Sequence, residues 1–121
     1  MAQTYDPTNI FARILRGEIP NNTVLDTAFS LAFHDVAPQA PVHVLVIPKG
    51  EYATFGGFAQ NASEAEIADF HRTCAQVIGL FDLDQGYRVI SNAGLLGRQE
   101  VPHYHLHILG GRELGPMLTR A

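Results

Sequence analysis

Cysteine is nearly missing from this chain: Cys74 is the only one, so no intrachain disulfide and no CxxC metal or redox motif can form. Basic residues are also few, eight Lys and Arg against twelve Asp and Glu, for a net charge of −4. That balance excludes wrapping a nucleic-acid backbone, where affinity comes from cations that displace counterions. It leaves room for a single nucleotide held by a few local donors. Long apolar runs are absent too, the longest being Val44–Ile47, far below the ~20 residues of a membrane span. Met1–Pro7 has no basic stretch leading into an apolar one, so no signal peptide is expected, and with the lone thiol this points to the cytoplasm. No phosphate loop of the Walker type, no GxGxxG and no nucleophile-elbow serine occurs, which removes ATP motors, dehydrogenases and serine hydrolases.

What is present reads as one globular domain over residues 1–121, with 46% apolar and 17% charged residues. Ile10, Phe11, Ile14 and Leu15 predict a helix over Asn9–Arg16, with Thr8 as N-cap and Gly17 as terminator. Residues 23–26 and 30–34 alternate as a β-hairpin, and 43–47 is apolar on both faces, as a central strand should be. Ser63 and Glu66 have capping-box spacing ahead of a helix over Ala65–Phe81, where Ile67, Phe70, Cys74, Val77, Ile78 and Phe81 form one stripe. Strands are expected at 87–91 and 101–109. The order predicts an α+β domain, a mainly antiparallel sheet of about five strands with two helices. Residues 1–7 read as a flexible lead-in and 112–121 as a tail near the active site or a dimer interface.

Half of the six histidines fall in His103-Tyr104-His105-Leu106-His107. On a strand, side chains alternate, so the three imidazoles share one face at ~6.6–6.8 Å spacing while Tyr104, Leu106 and Ile108 face a core. Three readings compete: an idle surface row, a metal site, or phosphate chemistry. The outer α-carbons of a flat strand lie ~13 Å apart, which works against one shared ion. For phosphate chemistry the middle ring can attack phosphorus while its neighbours donate to the non-bridging oxygens, with a pKa of ~6.5 giving neutral and charged fractions. His71, on the polar side of the long helix, reads as a surface residue.

The run, continued by Leu109-Gly110-Gly111-Arg112, resembles the signature of the histidine-triad (HIT) superfamily. Asn9-Ile10-Phe11, Gly17-Glu18-Ile19-Pro20, Ala32-Phe33-His34-Asp35, Pro38-Gln39-Ala40-Pro41-x-His43, Val46-Ile47-Pro48-Lys49, Gly86-Tyr87-Arg88 and Leu114-Gly115-Pro116-Met117-Leu118 extend the likeness to its nucleotide-binding phosphoramidase branch. That resemblance implies a HIT-like fold and hydrolysis of nucleoside 5′-phosphoramidates or acyl- and aminoacyl-adenylates. The reaction would run through a histidyl-AMP intermediate, without metal or cofactor, in a homodimer. It implies His105 as nucleophile, His107 as phosphate donor, and His103 and His43 as supports of the row. Asp35 would accept from the ribose, with a turn aspartate as the alternative, and His34 would lie beside base or sugar, with a structural role as the alternative. Ile10, Phe11, Phe33, Ile14 and Val36 would form the purine slot. Asn92 would lie near ribose or phosphate, Gln99 and the Val101 N–H near phosphate or leaving group, and Glu100 near an amine leaving group. Arg98 stands where the family usually has glycine, and Pro102 where it has an aromatic. A catalytically weak nucleotide-binding adaptor and a histidine metal-binding protein are the other readings.

Overall fold

A computed structural model describes residues 4–119. Its first helix, α1 (Ile10–Leu15), is capped by Asn9, whose side chain accepts from the Ala12 N–H, one residue beyond the expected Thr8. Gly17 ends it at φ 79°, with Gly17 N–H on the Ile14 carbonyl and Glu18 N–H on that of Arg13, the paired bonds of a Schellman turn. Strands β1 (Thr23–Asp26), β2 (Ser30–His34) and β3 (Val42–Pro48) follow, then helices α2 (Phe55–Asn61) and α3 (Glu64–Leu80), and strands β4 (Tyr87–Ile90) and β5 (Leu106–Gly110). The five strands form one antiparallel sheet in the order β1-β2-β3-β5-β4.

Strand alternation splits the sheet into two faces. On one, Ala32, Val44, Val46, Leu106, Ile108 and Tyr104 pack under α3 through Phe70, Cys74 and Val77. The expected capping box holds α3 at Ser63 and Glu66. Burial pushes the Cys74 thiol up to about 12, so it is inert at neutral pH. On the other face Leu31, Phe33, Leu45 and Ile47 meet Phe11 and Ile14 of α1.

Two expectations are corrected. Two helices were expected and three are found: α2 carries Gly56 and Gly57, poor helix formers, and is held by the Thr54 cap and by Phe58, which is buried in the α3 core. The last strand, expected over 101–109, begins only at Leu106. In the register that sets Val46 against Leu106, the next alternate rung would set Tyr104 against Pro48, which has no N–H to give. The stretch before Leu106 is held instead by the Tyr104 N–H on the Tyr52 carbonyl, 2.7 Å, and by side chains.

Candidate active site

The histidines come together on the α1 face, but not as a solvated row. His103 and His105 are buried, as is His43, and only His107 is half-buried. Phe11 stands edge-on to the His105 ring at 5.0 Å, and the His105 and His107 centroids are 5.1 Å apart.

Partners of fixed polarity settle where each ring proton sits. The His103 carbonyl can only accept, so His105 donates to it through Nδ1–H at 2.7 Å and its Nε2 carries a free lone pair. The Gln39 N–H can only donate, so His43 Nδ1 accepts at 3.0 Å and its proton is on Nε2. That proton faces His107 Nδ1 at 2.9 Å and the Asp35 carboxylate at 3.3 Å. His107 Nδ1 therefore accepts, and its own proton is on Nε2. Among the described residues neither His105 Nε2 nor His107 Nε2 has a hydrogen-bond partner, and no buried side-chain nitrogen or oxygen lacks one. Both atoms thus reach solvent. The result is a bare lone pair on one ring and an N–H on the next.

Burial keeps these rings neutral. It pushes His107 down to about 4, with further repulsion from His105 and His43 against the pull of Asp35. His103 is pushed to about 4 by burial, opposed by its bond to the Pro48 carbonyl. His105 and His43 also fall, again chiefly through burial. Asp35 and Glu100 partly restore His105, and Asp35 opposes the fall at His43. The charged fraction expected near neutral pH is thereby replaced by donation from neutral N–H groups.

The other candidate residues separate. Phe11 and Phe33 are buried edge-to-face at 5.6 Å, while Ile10 and Val36 stand exposed. Asp35 is the turn aspartate of the alternative reading, one oxygen capping the Ala37 N–H, and its other oxygen faces His43. His34 is not brought to the site. It shares the α3 face with Ala32 and stands edge-on to Phe81 at 5.6 Å, as strand alternation requires once Phe33 takes the opposite face. Gln99 spends its amide on the Ala53 and Val101 carbonyls and on the Gly94 N–H, bracing its own loop. Val101 packs against the α1-face core, Asn92 is half-buried just past β4, and Glu100 is exposed. Tyr5, which no sequence pattern singles out, donates to His103 Nδ1 at 2.6 Å.

For a metal, the convergent donors are Asp35, His43 and His107, within 4.8 Å of one another, not the three histidines of the run. Their 2.9 Å N···N separation is that of a shared proton. Two nitrogens on one tetrahedral zinc would sit ~3.3 Å apart at bonds of ~2.0–2.1 Å.

Arg98 takes φ 58°, a left-handed turn residue with its N–H on the Leu95 carbonyl. A glycine would adopt this backbone without strain. Arg98→Gly is expected to stabilise the fold by about 0.5–1 kcal/mol. Urea unfolding checks it, and a loss would mean the Arg98 side chain makes a compensating contact.

The HIT domain family matches residues 16–114. An uncharacterised 13.2 kDa HIT-like protein of Azospirillum brasilense is 55% identical over 121 residues, 99% of each chain. The purine nucleoside phosphoramidase of Escherichia coli is 40% identical, covering 91% of this chain and 92% of its own. The crystal structure of a histidine triad protein from Clostridium difficile superposes with a TM-score of 0.80 at 35% identity, over 98% of this chain and all of that one. A five-stranded antiparallel sheet that buries a histidine cluster beneath a short N-terminal helix is thus a HIT-type fold. This chain belongs to the HIT domain family.

Proposed function

We propose that this protein hydrolyses purine nucleoside 5′-phosphoramidates or acyl- and aminoacyl-adenylates. His105 Nε2 attacks the α-phosphorus as its bond to the leaving group breaks. The amine departs with a proton taken from solvent, or the carboxylate as its anion, and water then cleaves the histidyl-AMP to release AMP and the free imidazole. One observation carries this reading: His105 is the ring whose proton is locked inward on a carbonyl while its lone pair faces solvent. His107 Nε2–H is the adjacent donor for a non-bridging oxygen, and His43 fixes its tautomer. The ribose diol falls to Asp35 through Oδ2, the oxygen not spent on the Ala37 N–H, and the base to Phe11 and Phe33 beside exposed Ile10 and Val36. Asn92 falls to the ribose or phosphate, the Val101 N–H to the phosphate or leaving group and Glu100 to an amine leaving group, while Gln99 braces the loop before them. The E. coli relative's name, purine nucleoside phosphoramidase, supports the reaction class.

A fluorogenic AMP phosphoramidate in the presence of a chelator tests this. Turnover is expected, with an AMP mass increment on the peptide containing His105 after rapid quenching. Nucleotide binding with neither turnover nor adduct would identify an adaptor. Turnover that a chelator abolishes and zinc restores would favour the Asp35–His43–His107 group as a metal site.

The partner best suited to the sheet edge is a second copy. β4 lies at the edge with Tyr87 and Val89 exposed, and Arg88 holds, through the Gly115 and Pro116 carbonyls, a tail that carries exposed Met117 and Leu118. Light scattering should give twice the 13.2 kDa chain mass, and a monomer at micromolar concentration would refute it. The buried lone thiol suits a reducing cytoplasm.

A further inference from the structure

His103 cannot touch a nucleotide, because it is fully buried and both ring nitrogens are occupied. Nε2–H donates to the Pro48 carbonyl at 2.8 Å, and Nδ1 accepts from the Tyr5 hydroxyl at 2.6 Å. Its backbone carbonyl, however, holds the His105 tautomer. That carbonyl lies outside the regular ladder, which starts at Leu106, so its position depends on how the His103 ring is anchored. One anchor is the end of β3. The other is Tyr5, in a lead-in expected to be flexible but here packed edge-on to His103, with ring centroids 5.6 Å apart. Asn9, the α1 cap, sets its side chain beside the phenol and opposes the upward shift that burial imposes on Tyr5.

We propose that Tyr5 is a positioning residue for the nucleophile, acting through the chain Tyr5 Oη–H to His103 Nδ1 and His103 C=O to His105 Nδ1–H. The hydroxyl leaves His103 one tautomer, with its proton on Nε2 for Pro48. Without it, Nδ1 is a buried acceptor with no donor, and the ring gains the freedom to rotate or exchange tautomers. The His103 carbonyl then moves, and His105 Nε2 no longer presents a single aligned lone pair. This inference rests on the nucleophilic role of His105.

The test is Tyr5→Phe, read by phosphoramidate kinetics and by nitrogen NMR of protein labelled with ¹⁵N-histidine. In the wild type His105 should show a protonated Nδ1 and a bare Nε2, and His103 the reverse. In Tyr5→Phe the nitrogen resonances of both rings should shift, and kcat should fall about ten- to hundredfold with KM held within about twofold. A residue serving stability alone would lower the melting temperature but leave the His105 nitrogens and kcat in the folded protein unchanged, and that result overturns the proposal. If Tyr5→Phe does not fold, 3-fluorotyrosine at position 5 keeps the hydroxyl and makes it a stronger donor. Shifts at both His103 and His105 then support the chain, and a shift confined to His103, or none, overturns it. Wild-type protein without turnover would refute the catalytic reading, while the tautomer measurement still decides the positioning one.

Discussion

His105→Ala is expected to lower phosphoramidate turnover by at least about three orders of magnitude, equivalent to about 4 kcal/mol of activation barrier. No neighbouring ring can take over. His107 carries its exposed proton on Nε2 and has its lone pair committed to His43, His43 is buried, and His103 has both nitrogens engaged. His107→Ala removes one donor to the phosphate and leaves the nucleophile, so its loss should be smaller, on the order of a hundredfold. Nucleotide binding by His105→Ala should persist, since Asp35 and the Phe11–Phe33 pair are untouched, and calorimetry with AMP measures it. Undiminished turnover by the folded variant would sink the covalent mechanism. So would an AMP adduct that forms on a residue other than His105 in the wild-type protein.

Acid is expected to unfold the protein early. A histidine whose folded pKa lies below its unfolded value is held neutral by the fold, so the unfolded chain takes up its proton first as pH drops. The stabilisation is complete above the ordinary value of ~6.5 and is lost as pH falls towards 4. For His103, held at about 4, the loss is about 3 kcal/mol. His107 is also at about 4 but partly open to solvent, so it adds less. His105 and His43 act in the same direction. Several kcal/mol is a large share of a typical 5–15 kcal/mol stability. Urea midpoints between pH 7.5 and 4.5 should therefore fall steeply below pH 6.5, and a flat profile would show that the rings are solvated. The same burial moves the acid limb of activity below that of a free imidazole, because His105 Nε2 stays unprotonated further into acid.

The shared face of the triad was legible because alternation along an extended chain survives even where regular pairing stops. Tyr104, Leu106 and Ile108 fill the α3-side core as that pattern requires. The same rule, applied to Phe33 and His34, favours the structural reading of His34 over a place beside base or sugar. The burial of the imidazoles was not legible, because what covers them comes from residues about a hundred positions away: Tyr5 meets His103, and Phe11 meets both His103 and His105. Neither Tyr5 nor the cap at Asn9 sits in a periodic pattern that points at a histidine. α2 escaped because its two glycines weaken any helical signal, leaving only Thr54 followed by Phe55 and Phe58.

Pro48 closes the central strand, and its ring denies Tyr104 a backbone donor at the next rung. The sheet unzips just before Leu106, so His103 and His105 occupy a frayed hem of the sheet, beyond its last regular stitch. A side chain, His103, bonds to the strand's final carbonyl where a backbone amide would otherwise be the natural partner. The main chain around His103 and His105 is thereby exempt from the uniform spacing a β-ladder imposes, while His107 stays within it. One carbonyl turns sideways to hold a neighbouring imidazole, an orientation that a fully paired strand would spend on sheet cohesion.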